Sequence, residues 1–164
     1  MVFIRPATAD DQRAITRLVR SARINPLGLA WERFLVGTSV DGIVVGVGQV
    51  KGHKLGAREL ASIAVTPSHM KMGIAALIIE ALLVRETGDV HLYCERGLAH
   101  FYRRFGFEQL SDDRSIPVDI LRHVRLARAF MRLYCALRGR NAQLVVMRRT
   151  ARPTAHVAAS LRET

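Results

Sequence analysis

The sequence predicts a mixed fold of the α/β (α+β) class, in which strands and helices share one core. Three observations carry this reading. Leu60 to Val65 is a short apolar run with β-branched members, the mark of a buried strand. Thr66, Pro67 and Ser68 stop it, since Pro donates no ladder hydrogen bond and favours turns. From Gly73 the period changes: Ile74, Leu77, Ile78, Ala81 and Leu82 recur at three- and four-residue steps, which is the inward face of a helix. Upstream, Asp41-Gly42 between two apolar runs is a hairpin signal.

The other elements follow in order. Residues 2–7 alternate as a strand, and Thr8 or Asp10 caps a helix with Ile15, Leu18, Val19 and Ala22 as its buried stripe. Residues 23–28 form a turn, and the strands Arg33–Ser39 and Ile43–Lys51 flank the hairpin turn. A second turn, His53–Ala57, leads into the strand Glu59–Val65. The central helix runs from Gly73 to Arg85 and Gly88 ends it; a strand follows at Val90–Cys94 and a helix at Gly97–Phe105. Phe107 opens another strand. Residues 117–137 read as a helix with Ile120, Leu121, Val124, Ala127, Leu133 and Leu137 inward, ended by Gly139, and Gln143–Met147 is the last strand. Residues 1–149 are thus expected to form one domain and 150–164, with Pro153, a loose tail.

Composition narrows the class. A chain of 164 residues with 49% hydrophobic content and 5 Pro is long and apolar enough for a real core. No apolar run reaches the roughly 18 residues of a membrane span, and Cys94 and Cys135 have no metal spacing, so a reducing cytoplasmic location with free thiols is expected. The six His include no pair at metal-ligand spacing, so no metal is expected. The net charge of +11 is uneven: residues 1–113 hold 14 Lys/Arg against 12 Asp/Glu, and residues 114–164 hold 11 against 2. An excess of that kind attracts an anionic partner such as nucleic acid, acidic protein or an anionic membrane. Arg122, Arg125, Arg128, Arg132 and Arg138 give the last helix a broad basic face, read either as a solvated face or as a partner site.

The first N–H groups of a helix have no internal partner and carry the positive end of its dipole. With Gly73 and small Ala75 at the mouth, the central helix leaves them open to a phosphate. The surrounding residues go further. Val65-Thr66-Pro67, a spacer, then Gly73-Ile74-Ala75-Ala76-Leu77-Ile78 resembles motif A of the GNAT superfamily of acetyl-CoA-dependent N-acetyltransferases. The family core, Gln/Arg-x-x-Gly-x-Gly/Ala, is here Met70-Lys71-Met72-Gly73-Ile74-Ala75, so the first position departs. Downstream, Leu98-Ala99-His100-Phe101-Tyr102-Arg103-Arg104-Phe105-Gly106-Phe107 resembles motif B, Ala-x-x-Phe-Tyr-x-x-x-Gly-Phe. The resemblance covers residues 3 to about 111 well.

The resemblance implies a mostly antiparallel mixed sheet of six to seven strands with flanking helices. It also implies that the strands ending at Val65 and Cys94 splay to bind acyl-CoA. It assigns acetyl-CoA as cosubstrate, held by Ile63, Ala64, Val65, Met70, Lys71, Met72, Gly73, Ile74, Ala75, Ala76, Leu98 and Phe101. The acceptor is a small-molecule or protein amine, with Asn25 and Trp31 (beside Arg23 and Arg33) as candidates to touch it, against the plain alternative of surface residues plus one packed Trp, and homodimers occur in the family. Acyl transfer from a thioester needs a neutral amine and a proton for the departing thiolate. Glu59 is the candidate base, against the plain alternative of a strand-end Glu exposed to water or paired with Arg58 or Lys54. Tyr102 is the candidate acid, against a packing or anchoring role. Glu95 stands where many relatives carry Asn, and a hydrogen bond to CoA is lost there. Two other readings share the fold: transfer to an aminoacyl-tRNA, which the basic C-terminal third fits, and a non-catalytic binding protein with a decayed site at Met70 and Glu95.

Overall fold

The computed structural model describes residues 1–138 and 142–151. Seven strands, β1 (Val2–Pro6), β2 (Phe34–Ser39), β3 (Val44–Gly52), β4 (Arg58–Val65), β5 (Val90–Glu95), β6 (Glu108–Gln109) and β7 (Leu144–Arg149), form one sheet in the order β1-β2-β3-β4-β5-β7-β6. Every neighbouring pair is antiparallel except β4 with β5. The helices are α1 (Gln12–Ser21), α2 (Ile74–Leu83), α3 (Ala99–Arg103) and α4 (Val118–Arg138).

Strand alternation sorts side chains onto two faces. On one, α2 supplies Ile74, Ile78, Ile79, Leu82 and Leu83, which pack with Val45, Val50, Leu60, Leu92 and Met147; Ala99 of α3 joins them. On the other, Ile15, Leu18 and Val19 of α1 meet Phe34, Val36, Val47 and Ala64. Ile120 and Val124 of α4 meet Ile116 and Val146 beside Tyr93. Close seating of α2 depends on β3 glycines: a Cβ on Gly48 would lie 2.5 Å from Ile63 Cδ1 and 2.7 Å from Ile78 Cγ2.

The entry to α1 is held by one ion pair. Arg5 donates from both guanidinium nitrogens to Asp11, at 2.7 and 3.0 Å, and the Thr8 N–H donates to the same carboxylate at 2.8 Å. The bond from Arg5 is the main reason the Asp11 carboxyl lies below its ordinary range.

Several expectations are corrected. Ala22 is exposed, because α1 ends at Ser21. Leu77 is 46% exposed and Leu133 59% exposed. On α2 the neighbours Ile79 and Leu83 take the inward places instead, because the helix is buried through a wider arc than a single stripe. On α4 the core contact ends with its first half. The helix expected at Gly97–Phe105 is a 3-10 turn, Arg96–Leu98, followed by α3. Gly139 and residues 152–164 lie outside the described residues, so the helix end and most of the expected tail do too.

Two outcomes follow. Gly48→Val overpacks the contact with α2 and lowers stability by about 1–3 kcal/mol, read as a fall in Tm of roughly 2–4 °C per kcal/mol. Asp11→Asn costs about 1–2 kcal/mol, reduced by the partial exposure of Arg5. Because the folded value of Asp11 is depressed, its stabilisation is present above the ordinary carboxylate value of about 4 and is lost as pH falls through the folded value. Denaturant midpoints of wild type and Asp11→Asn therefore converge on acidification.

Candidate functional site

The site starts from a failure of pairing. β4 and β5 are hydrogen-bonded partners only at Arg58 with Val90 and Glu59 with His91. Beyond that point β5 continues along β7 through Glu95, and β4 continues along β3 through Val65. Their facing backbone groups have no ladder partner across the gap, and such groups need one from somewhere. A bulge helps part the strands. Between Val47–Ala64 and Gln49–Ala61 the chain advances two residues on β3 and three on β4, and Ser62 takes φ +57°. A bulge bends and re-aims the strand that carries it. The Ser62 hydroxyl is fixed by Gln49 Nε2 at 3.0 Å.

At the open end of the gap lies the start of α2. Lys71 and Gly73 both have left-handed backbone, with φ of +63° and +79°. Nothing stands within 4 Å of where a Cβ on Gly73 would be. Among the described residues no acceptor meets the N–H groups from Lys71 to Ala76; the first return bond is from Leu77 to the Gly73 carbonyl. This is an open anion seat at a helix N-terminus. Met70 and Met72 beside it are 54% and 63% exposed and add no charge. The Ile74 and Ala76 side chains are buried in the core and Ala75 is half-buried, so these residues offer the seat their backbone.

At the closed end, Glu59 is buried, and its Oε2 lies 2.7 Å from His53 Nε2. The pairing with Arg58 or Lys54 held open from sequence is not what forms: Arg58 bonds Glu86 at 2.6 and 2.7 Å, and His53 is the partner of Glu59. Tyr93 faces the same side. Its phenol is pushed up to about 12 by burial and secondarily by the Glu59 charge, and it hydrogen-bonds Asn25. Lys51, opposite Glu59 on β3, donates to the Leu27 carbonyl at 3.1 Å, and burial lowers its pKa against the opposing pull of Glu59. Asn25 thus reaches the Glu59 side, whereas Trp31 packs into the α1 cluster.

Tyr102 sits on the other face of the sheet, packed against the α2-side core, with edge-on contacts to Phe101 at 5.2 Å and Phe107 at 6.2 Å. Burial raises its pKa, and the nearby Cys94 thiol adds to the rise. Among the described residues no group hydrogen-bonds its hydroxyl. Leu98 is 50% exposed and Phe101 half-buried. Ile63 and Val65 pack toward α2, and Ala64 toward α1. The sequence-derived residues therefore form two groups, one at each end of the gap, with Glu59 and Tyr102 on opposite faces of the splayed pair. His53 and Tyr93 were not singled out from sequence. The alternation of Val90, Leu92 and Cys94 with His91, Tyr93 and Glu95 is the signal that puts Tyr93 on the face of Glu59.

Residues 30–109, the stretch that contains both ends of this gap, match a family model described as an acetyltransferase (GNAT) domain. This stretch of the chain is a GNAT acetyltransferase domain. A comparison with curated protein sequences finds no match. Solved structures share the GNAT fold at low identity. N-acetylglutamate synthase from Neisseria gonorrhoeae, complexed with coenzyme A and N-acetyl-glutamate, is 17% identical, with a TM-score of 0.70 over 93% of this chain. This chain spans only 36% of that enzyme's length. Rv2747 from Mycobacterium tuberculosis, in complex with CoA, is 22% identical with a TM-score of 0.68, covering 92% of this chain and 99% of its own. A GNAT acetyltransferase from Staphylococcus aureus is 9% identical with a TM-score of 0.68, over 93% and 100% of the two chains.

Two of the three tyrosines in this GNAT chain sit where burial holds the phenol protonated. In a spectrophotometric pH titration the Tyr93 and Tyr102 phenols ionise later than the ordinary value of about 10. Tyr93→Phe removes the step near pH 12. A wild type whose tyrosines all titrate together near the ordinary value contradicts this packing.

Proposed function

We propose that this GNAT protein transfers an acetyl group from acetyl-CoA to a primary amine by direct attack in a ternary complex. One observation supports the reading above others: β4 and β5 part at Glu59, and the gap runs from that buried carboxylate to an unobstructed helix mouth. The residues present fit the group. The N–H groups from Lys71 to Ala76 are open to a pyrophosphate, and the unpaired edges of β4 and β5 suit the amides of a pantetheine arm.

Acetyl-CoA, when bound, supplies the acyl thioester. The chain's own residues then have three tasks. Glu59, through its second oxygen Oε1, takes the proton that the ammonium must lose, since amines of the lysine type hold it up to about pH 10. The Tyr102 hydroxyl keeps its proton at working pH and donates it as sulfur leaves. Asn25 and Tyr93 present a polar wall to the acceptor. Met70 provides no charged contact where the family has Gln or Arg, which costs cofactor affinity about 1.5–3 kcal/mol, or one to two decades. Lys71 offsets part of this as a flexible point charge.

The acceptor is a small-molecule or protein amine, and the N-acetyl-glutamate of the Neisseria complex puts α-amino acids first in a panel of amines. A second reading keeps the transfer and makes the acceptor an aminoacyl nucleic acid. The exposed Arg122, Arg125 and Arg132 of α4 favour it, and RNA binding that weakens steeply with salt would separate the two.

The test is thiol release from acetyl-CoA across that panel. Wild type turns over at least one amine, Glu59→Gln lowers kcat by roughly 10²–10⁴-fold, and Tyr102→Phe lowers it by about 10–10²-fold, each without loss of fold. No turnover with any amine, or a Glu59→Gln variant as fast as wild type, refutes the assignment.

A further inference from the structure

We propose that His53 is a positioning residue for the base: it holds Oε2 of Glu59 so that Oε1 alone is presented to the gap. The inference rests on the acetyl-transfer reading and concerns a residue outside motifs A and B. The bond from Nε2 to Oε2 is 2.7 Å long, with the two side chains only 11% and 5% exposed. A carboxylate buried that deeply needs a hydrogen-bond partner beside it. Among the described residues His53 is the side chain that bonds it.

The turn that carries His53 is fixed on both sides. Within it, the His53 N–H donates to the Ala57 carbonyl at 2.8 Å and the Gly56 N–H to the His53 carbonyl at 3.0 Å. From α4, Asp119 Oδ2 accepts from the Leu55 N–H at 3.1 Å, which latches the turn to the helix. The His123 ring then stands edge-on to His53, with centroids 5.2 Å apart. A carbonyl can only accept, so the 2.8 Å contact from His123 Nδ1 to the Asp119 carbonyl puts a proton on Nδ1 and orients that ring. The imidazole of His53 is thereby held from behind by α4 and aimed at Glu59 on β4.

The other groups on this face do not do the same work. Lys51 is engaged by the Leu27 carbonyl, Tyr93 by Asn25, and Arg33 by the Gly28 carbonyl. His91, paired with Glu59 across the two strands, is buried with its Nδ1 unpartnered and its pKa lowered chiefly by burial.

The experiment compares His53→Ala and His53→Gln in steady-state kinetics with acetyl-CoA and the best amine of the panel. Acetyl-CoA-dependent thermal stabilisation is measured alongside. A glutamine amide can still donate to Oε2. The expected result is a 10–100-fold lower kcat in His53→Ala, with KM for acetyl-CoA and its thermal shift within about twofold of wild type. His53→Gln recovers most of the loss. If His53→Ala does not fold, Asp119→Ala releases the same turn from the surface and lowers kcat about 2–5-fold. An active wild type matched by His53→Ala, or equal losses in the alanine and glutamine variants, overturns the positioning role alone. A wild type that turns over no amine overturns the underlying reading, and the role with it.

Discussion

The rest of the structure depends on the parallel contact between β4 and β5 being two residues long. Had it continued, the two strands would satisfy each other and the sheet would be closed from β1 to β6. It stops after Glu59 and His91, where β4 takes an extra residue at Ser62 and follows β3, while β5 follows β7. Each strand keeps a ladder on its outer side, interrupted on β4 only by the bulge, so parting them costs little beyond the bonds across the gap. What remains is a cleft lined with unpaired backbone, placed between two faces that already have their own cores. A linear chain of amides is the ligand such a cleft suits, because alternating donors and acceptors replace the missing strand.

The helix across from the gap is held by the same logic. α2 is apolar nearly all round and sits low on β3 because Gly46 and Gly48 have no Cβ to keep it away. Its N-terminus arrives at the mouth of the cleft with two left-handed positions, Lys71 and Gly73, on either side of Met72. Gly tolerates that conformation freely, whereas Lys71 holds it at a cost, and such strain is concentrated at functional turns. The helix dipole and the open N–H groups therefore act at the same helix mouth. Charge at the far end is handled differently, by a buried carboxylate whose partner is the imidazole of a neighbouring turn.

Much of this was legible in the chain. The change of period at Gly73, the Asp41-Gly42 turn and the motif around Phe101 and Tyr102 are local signals, and strands and helices appear where they point. Residues whose fate depends on tertiary contact were less legible. Leu77 and Leu133 follow a helical stripe, yet each faces solvent, because the width of the buried arc is set by what the helix packs on. The partner of Glu59 could not be read from nearest neighbours: Arg58 and Lys54 are closer in sequence, but Arg58 points to Glu86 and the turn delivers His53 instead. The bulge at Ser62 left no mark in composition, since any small polar residue in a strand looks alike until the register is known. The two-group arrangement of the site, Glu59 on one face and Tyr102 on the other, likewise required the sheet.

The most direct test of this account is an amide-resolved NMR titration of the full chain with acetyl-CoA. Saturable binding should shift the amides of residues 71–76 at the mouth of α2 and those of Ala61–Val65 along the free edge of β4, and leave α1 unmoved. Shifts confined to the arginine-bearing half of α4, or no saturable response at all, would contradict the claim that the parted strands and the open helix mouth form one cofactor site.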